Sequence, residues 1–462
     1  MEENRRAFFN LKFAPKMEFS NTLTRKGPTK LSPCGTKIVT VYENRLVIYN
    51  TTEIRNLQQC SFRETITSVK WAPNSEYLLL IPQSKTYVLI KQVLSERKAV
   101  KIQLYPPGYS DADFCPDSSH IIVVLDFGLA INFFSLTGQY MGKVEYVQVP
   151  TIQRNSFSYD GQYYAAVRKK NGCYFVSVVS MENFSTLVTF PVSLPDVAGL
   201  SWCPDEYTIA IHSSCLYNQL QVVFPQGNVL FSYQPYTAAL GIRDAVWSPT
   251  GSLLAIASFD QVVRIVNTTL SKMIAEFEHT DVVYPQPNRS VFVEKQITTT
   301  TPNVKRESMR QYAFVSQRNK FSTHFVMETE PVKLKYLSAD MTKPNPKQGI
   351  SQMKWSFDGK YLASCNENTP HVLWIWNVLE MELEAVLICQ TTIKTIQWNP
   401  YCLQLAFVTG SEYLFLWNSQ GAVSVPLPFP EFYPQYCTWP LQEKGPLLLA
   451  DKSQFCLAME EE

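Results

Sequence analysis

The sequence predicts an all-β fold in which one short unit of antiparallel strands is repeated along the chain, as in a β-propeller. Two observations carry this prediction. The stretch WSPTGSLLA, which begins at Trp247, returns in altered form eight more times. Runs of Val, Ile, Leu, Phe and Tyr follow the copies and are separated by Gly, Pro, Asn and Asp, the residues that favour turns.

Nine copies of this stretch can be aligned along the chain. Neighbouring copies begin 40 to 45 residues apart, except for one gap of 108 residues. A period in this range, filled with short strands, is the signature of WD40-type propeller blades. The copies begin at Leu31, Trp71, Phe114, Phe157, Trp202, Trp247, Trp355, Trp398 and Trp439.

One unit shows why the motif has to be repeated. Pro249 fixes φ as the chain enters the first turn, and Gly251 can supply a positive φ. The β-rich runs between Ile242 and Asn267 are predicted strands, and a fourth strand is predicted from Met273. Such a sheet cannot bury both faces alone, so neighbouring sheets must pack against each other. The Trp residues expected to end inner strands and to pack between blades are Trp71, Trp202, Trp247, Trp355 and Trp398.

The end of the third strand departs from the usual blade. Where many blades have a Trp-Asp pair, this sequence has Asn, and no Gly-His pair precedes a first strand. The hydrogen-bonded network through that His and Asp cannot be assumed here. We expect Asn to keep the turn, because its side chain can bond the local backbone. The positions are Asn50, Asn267, Asn377 and Asn418.

The number of units bears on domain organisation. Nine visible units plus one degenerate unit exceed the ~4–8 blades of a closed propeller, so we expect two rings, or one ring plus a partial second. The predicted divisions are an N-terminal extension over 1–16, WD-repeat blades over 17–280, a degenerate blade with a flexible basic insertion over 281–348, and further blades over 349–458.

The insertion accounts for the gap of 108 residues. Residues 281–348 contain eleven Lys and Arg against six Asp and Glu, and their possible strands begin at Tyr312 and Thr323. A solvated loop is the first interpretation of this stretch. A contact loop for an acidic surface, such as tubulin or a coiled coil, is the alternative.

Composition and motifs argue against catalysis and against metal or cofactor binding. The chain has eleven Cys without a C-x-x-C pair and five His in no metal-ligand spacing, and it lacks the phosphate-cradling, dinucleotide and nucleophile-elbow motifs. We therefore expect no enzymatic activity, no cofactor and no metal, with the Cys as small buried apolar residues in a reducing compartment. The 41 Lys and Arg nearly balance the 40 Asp and Glu, which predicts no nucleic-acid partner. Because there is no signal sequence and no apolar run near 20 residues, we expect a soluble, intracellular protein without membrane insertion.

One turn is predicted to be an exposed contact. The stretch NENTP, from Asn366 to Pro370, combines two Asn and one Pro, which favour a turn that projects from a sheet. Asn366, Asn368 and Pro370, together with Trp374 just beyond them, are the predicted partner-binding residues. Trp374 shares a strand face with Trp376, and packing between blades is the alternative role for at least one of the two.

Two segments resemble a specific family of WD-repeat proteins. They are ALGIRDAVWSPTGSLLAIASFDQVVRIVN from Ala239 and NPKQGISQMKWSFDGKYLASCNENTPHVLWIWNV from Asn345. Both are similar to blades of the WD repeat-containing protein eight family, also described as encoded antisense to a p53-related gene. The resemblance extends from about Met17 to the C-terminus. The residues that carry it are Leu240, Gly241, Ile242, Asn345, Pro346, Lys347, Gly349, Ile350, Asn366, Asn368, Pro370, Trp374 and Trp376.

The resemblance implies a non-catalytic scaffold at the microtubule-organising centre. Family members work at spindle poles, centrosomes and centriolar satellites, where they help to hold microtubule minus ends and support spindle assembly and cilium formation. The implied partners are a coiled-coil microtubule-anchoring protein, a minus-end-directed kinesin and assemblies that contain γ-tubulin. We expect the same location for this chain, in the cytoplasm and on the cytoskeleton.

Two other functional classes stay open from the sequence. The first is a translation-initiation-type propeller that binds ribosomal subunits, whose blades also carry Trp-Ser-Pro-x-Gly turns. A ribosome partner favours a strong basic patch, and the net charge of +1 argues mildly against one. The second is a propeller hydrolase, which needs a clustered polar pocket.

Overall fold

The computed structural model describes residues 17–148, 156–214, 216–235, 240–298, 321–340, 342–343, 346–442 and 444–460. Within these residues the chain forms 40 β-strands and one 3₁₀ turn, Asp126–Gly128. Nine of the sheets repeat the predicted blade. The all-β fold built from propeller blades is therefore confirmed, while the predicted extension over 1–16 lies outside the described residues.

Two short strands precede the first three blades, which have four antiparallel strands each. The short strands are β1 (Met17–Phe19) and β2 (Leu23–Thr24). Blade 1 has β3 (Thr29–Leu31), β4 (Lys37–Tyr42), β5 (Arg45–Asn50) and β6 (Asn56–Ser61). Blade 2 has β7 (Ile66–Trp71), β8 (Tyr77–Pro82), β9 (Tyr87–Gln92) and β10 (Val100–Gln103). Blade 3 has β11 (Tyr109–Phe114), β12 (His120–Leu125), β13 (Ala130–Ser135) and β14 (Tyr140–Glu145).

Blade 4 differs from its neighbours, because its sheet has three strands among the described residues. They are β15 (Tyr163–Lys170), β16 (Cys173–Ser180) and β17 (Thr186–Pro191). Blade 5 has β18 (Gly199–Trp202), β19 (Ile209–His212), β20 (Leu220–Val223) and β21 (Val229–Tyr233). Blade 6 has β22 (Ile242–Trp247), β23 (Leu253–Ser258), β24 (Val262–Asn267) and β25 (Lys272–Glu278).

The last three blades include strands from distant parts of the chain. Four strands lie between blades 6 and 7 in the sequence: β26 (Val282–Val283), β27 (Ser290–Thr298), β28 (Phe321–Met327) and β29 (Val332–Lys333). Blade 7 itself has β30 (Ile350–Trp355), β31 (Tyr361–Asn366), β32 (Thr369–Asn377) and β33 (Glu382–Ile388). Blade 8 has β34 (Thr395–Trp398), β35 (Leu405–Val408), β36 (Tyr413–Asn418) and β37 (Gly421–Pro426). Blade 9 has β38 (Tyr436–Thr438), β39 (Leu447–Ala450) and β40 (Gln454–Glu460), and β1 pairs with β40.

The chain folds as two compact units. One unit consists of Arg25–Glu276 with Leu441–Glu443 and holds blades 1 to 6. The other consists of the residues up to Thr24, Phe277–Pro440 and the residues from Lys444, and it holds blades 7 to 9.

The hydrophobic core of each unit lies between consecutive blades. One buried cluster combines Ile90 of blade 2 with Ile121 of blade 3, and another combines Val176 of blade 4 with Val223 of blade 5. Each cluster therefore needs two sheets. This is the packing that the repeat predicts, since one sheet cannot cover both of its faces.

The repeated Trp-Ser-Pro-x-Gly stretch forms the turn between the first and second strands of a blade. In blade 6 the Gly251 N–H donates to the Ser248 carbonyl at 3.0 Å, and the Ser248 N–H donates to the Leu253 carbonyl at 2.8 Å. Gly251 has a φ of 70°, in the left-handed region that favours glycine. The turn is rebuilt in each blade because each sheet must reverse direction in the same tight space.

All five predicted Trp residues end the first strand of a blade, as expected. Four of them are buried, and Trp71 is half-buried. The Trp247 indole N–H donates to the backbone carbonyl of Ser201 in the preceding blade at 3.3 Å, and Trp398 donates to Lys354 at 3.0 Å. These indoles therefore join neighbouring blades by a hydrogen bond as well as by apolar packing.

Asn keeps the turn after the third strand, as predicted. The Leu270 N–H donates to Oδ1 of Asn267 at 2.8 Å, and the Gln420 N–H donates to Oδ1 of Asn418 at 2.8 Å. The short Asn side chain thus satisfies a backbone donor that the turn leaves open.

The insertion does not form a separate blade in the described part of the chain. β27 lies parallel to β33, the outer strand of blade 7, with Val291 opposite Val386, and β28 pairs with β27. The strand predicted from Thr323 is confirmed within β28, whereas the one from Tyr312 lies outside the described residues. In the described residues β27 and β28 extend the sheet of blade 7 to six strands and β26 pairs with β29, while the degenerate blade over 281–348 stays a prediction.

Candidate functional site

The turn predicted to project from the sheet is buried. Asn366, Asn368 and Trp374 are each 1% exposed, and Pro370 is half-buried. The expectation of an exposed tip is therefore wrong. Partner binding through these four residues stays a prediction, and among them Pro370 offers the most surface for it.

The turn is buried because an upstream segment covers it. Asn368 Nδ2 donates to the Leu337 carbonyl at 3.0 Å, and the Leu337 N–H donates to the Asn368 carbonyl at 2.7 Å. The Gly349 N–H donates to Oδ1 of Asn368 at 3.1 Å, and the Asn368 N–H donates to Oδ1 of Asn366 at 3.0 Å. These bonds join three stretches of chain, so both Asn side chains act structurally.

Trp374 lies in a buried aromatic cluster. Its ring stacks on Trp376 with the centroids 5.8 Å apart, and Phe277 stacks on Trp376 at 4.7 Å. The Trp376 indole N–H donates to Oγ of Ser364 at 2.9 Å, and His279 Nε2 lies 2.9 Å from the same oxygen. Core packing between blades, which the sequence predicts for at least one of the two Trp residues, is therefore observed, since Trp376 stacks on Phe277 of blade 6. The His–Ser–Trp chain also shows that blade 7 has a buried polar network without a Gly-His pair.

An open apolar groove of about 380 Å³ lies between blades 4 and 5. Leu187 on β17 is 52% exposed and Phe224 is 39% exposed, although both face a concave surface. Apolar side chains left open to water in a concave site mark a candidate binding site. The apolar lining includes Tyr163, Leu187, Val188, Tyr207, Phe224 and Pro225.

A β-bulge brings two of these residues together. Val188 pairs with Val178 and Thr186 pairs with Val179, so Leu187 has no partner opposite it in the sheet. Neighbouring residues of a regular strand point to opposite faces, but a bulge interrupts that alternation. As a result, Leu187 and Val188 both line the groove.

Two aromatic residues of the lining, Tyr163 and Tyr207, belong to an aromatic cluster that includes Tyr159 and contacts one carboxylate. The centroid of Tyr207 lies 5.1 Å from that of Tyr159 and 5.7 Å from that of Tyr163. The Tyr207 hydroxyl donates to Asp160 at 2.6 Å, and this hydrogen bond raises the pKa of Tyr207. Burial raises the pKa of Asp160, but hydrogen bonds from Ser158 and Tyr207 outweigh it and hold that pKa below its ordinary value. At neutral pH the pair is thus a phenol bound to a carboxylate.

The turn that carries Phe224 is fixed against blade 4. Gly227 has a φ of 95°, and a Cβ on it would lie 2.6 Å from Cγ of Phe190, which is 6% exposed. Only a glycine allows this backbone to approach the buried ring so closely. The shape of the groove is therefore set by packed backbone.

The rim of the groove is acidic. Four turns lie at this end of blades 4 and 5: SYDGQ from residue 158, MENFS from 181, CPDEYT from 203 and FPQGN from 224. They contain Asp160, Glu182, Asp205 and Glu206 but no Lys or Arg. Glu206 itself lines the groove. One acidic side chain thus lines the apolar groove, and three more lie on turns at the same end of its two blades.

None of the groove residues belongs to the predicted site. The groove forms only when blades 4 and 5 stack, whereas the sequence repeats were interpreted one at a time. A signal was present in the strand TLVTFP, where Leu187 and Val188 are adjacent apolar residues in an outer strand. The acidic residues in three of the four turns, with Asp205 and Glu206 adjacent, were a second signal.

Three further properties of the described residues concern metal-binding clusters, the burial of cysteines and membrane-spanning helices. They hold no group of three or more His, Cys, Asp or Glu placed to bind a metal ion. Six of the ten described Cys are buried. Within the same residues, every helix is too short or too polar to span a membrane.

Comparison with known protein families matches one repeat of the sequence, from the outer strand of blade 5 through the third strand of blade 6. Residues 227–267 match the WD40 family, described as a WD domain, G-beta repeat. This stretch contains the WSPTGSLLA turn and ends with β24.

Two WD-repeat proteins are similar to nearly the whole chain. WD repeat-containing protein WRAP73 of Mus musculus is 28% identical over 445 residues, which cover 96% of this chain and 95% of that protein. An uncharacterised WD repeat-containing protein of Schizosaccharomyces pombe, C32H8.09, is 20% identical over 442 residues, which cover 89% of this chain and 85% of that protein. Among solved structures, the C-terminal WD40 domain of Sif2 matches with a TM-score of 0.51 and 10% identity, over 90% of this chain and 99% of that chain. This last likeness concerns the fold alone.

Proposed function

Because this chain is a WD-repeat protein with the β-propeller fold, we propose that it is a non-catalytic scaffold at the microtubule-organising centre. In this role it helps to hold microtubule minus ends at spindle poles, centrosomes and centriolar satellites, and it supports spindle assembly and cilium formation. Its location is the cytoplasm and the cytoskeleton.

The similarity along nearly the full length of a mouse WD-repeat protein carries this proposal. Two proteins that share only the fold need to match only in separate blades. Here the alignment with the mouse protein covers 96% of this chain. The family that the sequence resembles has the spindle-pole and centrosomal role, so that role is the one we transfer to this chain.

The proposed partners are proteins. They are a coiled-coil microtubule-anchoring protein, a minus-end-directed kinesin and assemblies that contain γ-tubulin, with no nucleic acid and no membrane insertion. The groove between blades 4 and 5 supports this class, because an open apolar site with an acidic rim suits a peptide better than a phosphate-bearing ligand.

Co-precipitation from mitotic cells tests the proposal. The tagged full-length chain is expected to recover a coiled-coil protein together with γ-tubulin. A Trp247→Ala variant is the unfolded control, since removing this buried indole costs about 3–5 kcal/mol of folding free energy. Recovery of ribosomal subunits in place of these proteins would overturn the proposal and favour the translation-initiation class.

A further inference from the structure

We propose that the groove between blades 4 and 5 binds an extended peptide segment in which an apolar side chain is flanked by Lys or Arg. This inference rests on the proposed scaffold function and names the chemistry of the partner. The occupant is a segment of a protein partner that lies outside its coiled coil.

The size and lining of the groove call for an apolar anchor. Its volume of about 380 Å³ accommodates one or two side chains, and Leu187, Val188 and Phe224 present apolar surface to it. Burial of one such anchor in a preformed pocket supplies much of the binding energy of a peptide. Because the backbone of Gly227 packs on Phe190, the pocket exists before the ligand arrives.

The aromatic wall favours an extended segment. Tyr163, Tyr207 and Pro225 line the groove side by side, and aromatic-lined grooves bind extended, proline-containing or aliphatic segments. Such a segment is nearly extended before it binds, so it loses little conformational freedom. A helix needs a longer apolar trough than this groove provides.

The acidic residues near the groove determine which residues flank the apolar anchor in the bound peptide. Asp160, Glu182, Asp205 and Glu206 lie on three of the four turns at this end of blades 4 and 5, and none of the four turns carries Lys or Arg. Negative potential around an apolar pocket attracts Lys and Arg beside the anchor. The same potential repels lipid headgroups and nucleic acids that carry phosphate.

Selection from a phage-displayed library of random dodecapeptides tests this inference directly. With the folded full-length chain as bait, the enriched peptides are expected to share an apolar residue with Lys or Arg within two positions of it. Their binding should weaken at least about tenfold in a Leu187→Asp variant and in a Glu206→Lys variant. Enrichment of acidic peptides, or of peptides that bind both variants as tightly as the original chain, would overturn the inference.

Matched variants distinguish a loss of peptide binding at the groove from a general effect of the added charge. Leu57 is the unpaired bulge residue of blade 1 and is 39% exposed, so Leu57→Asp places the same charge at an equivalent position. Glu76 is an exposed residue in the corresponding turn of blade 2, so Glu76→Lys matches Glu206→Lys. Both control variants are expected to bind the enriched peptides normally. An equal loss in the controls would also overturn the inference.

The two proposals fail in different ways. If the chain recovers its partners from mitotic cells but the Leu187→Asp variant does so equally well, the groove inference fails and the scaffold proposal stands. If basic, apolar peptides are enriched but γ-tubulin and coiled-coil proteins are never recovered, the groove inference stands and the cellular role fails.

Discussion

Asn368 shows how strongly a single side chain can depend on distant parts of the chain. Its amide bonds both the Leu337 carbonyl and the Gly349 N–H inside the fold. We expect Asn368→Ala to lower the free energy of unfolding by about 1–3 kcal/mol, because it leaves both groups without these partners. Equilibrium urea unfolding followed by Trp fluorescence measures the change.

An exposed asparagine provides the control for this variant. Asn56 begins β6 and is exposed, so Asn56→Ala is expected to change the free energy of unfolding by less than ~0.5 kcal/mol. If Asn368→Ala were as mild as Asn56→Ala and instead abolished partner recovery, the turn would be a contact site after all.

Cys34 differs from the buried cysteines in its ionisation. Partial burial raises its pKa, but hydrogen bonds from Ser32, Ser75 and Thr36 outweigh that effect and lower the pKa to about 7. Because the thiolate is the reactive form, alkylation of Cys34 by iodoacetamide is expected to rise with pH to a midpoint near 7. Mass spectrometry of the labelled chain gives this profile residue by residue.

Cys402 is the internal reference for that experiment. Cys402 is accessible to the reagent, but partial burial of its thiol and the nearby Glu460 carboxylate raise its pKa, so its alkylation should begin only at higher pH. A Thr36→Val variant removes one hydrogen bond and should shift the Cys34 midpoint upward. A midpoint for Cys34 equal to that of Cys402 would contradict this account.

At the scale of elements, the strands β27 and β28 show how blade 7 is protected at its outer edge. Phe292 on β27 is 4% exposed and packs with Phe325 and Leu387. Phe292→Ala is expected to cost about 3–5 kcal/mol and to loosen β27 from β33. Hydrogen exchange should then become faster for the backbone N–H groups of β33, which β27 covers.

The residue opposite Phe292 supplies the matched control. Met327 on β28 pairs with Phe292 in register but is 48% exposed. Met327→Ala is expected to leave exchange in β33 unchanged. Equal exchange in both variants would mean that the packing of β27 does not protect this edge.

The elements also show which features could be predicted from the sequence. The turn at Gly251 and the inner-strand position of Trp247 are local consequences of a repeated motif, so the alignment of copies predicted them. The burial of Asn368 could not be predicted, because its cover comes from Leu337, which is 31 residues away and outside any repeat. The attachment of β27 to β33 likewise depends on a long-range parallel pairing that no local pattern encodes.

At the scale of the whole molecule, the same limit applies to the candidate site. The repeats in the sequence predicted nine visible blades, and the described residues form nine. The groove depends on Leu187 in one blade and Phe224 in the next, which meet only after the blades stack. Repetition therefore makes the scaffold predictable, while the binding surface lies where neighbouring repeats differ.

Because we propose that this chain is a scaffold of the microtubule-organising centre, its position in dividing cells is the decisive observation. The measurement is live imaging of the fluorescently tagged full-length chain beside γ-tubulin through one cell cycle, with Trp247→Ala as the unfolded control. We expect the chain to concentrate at the γ-tubulin foci as the spindle forms and the control to stay diffuse. An even cytoplasmic distribution at every stage, with no enrichment at those foci, would contradict the proposal.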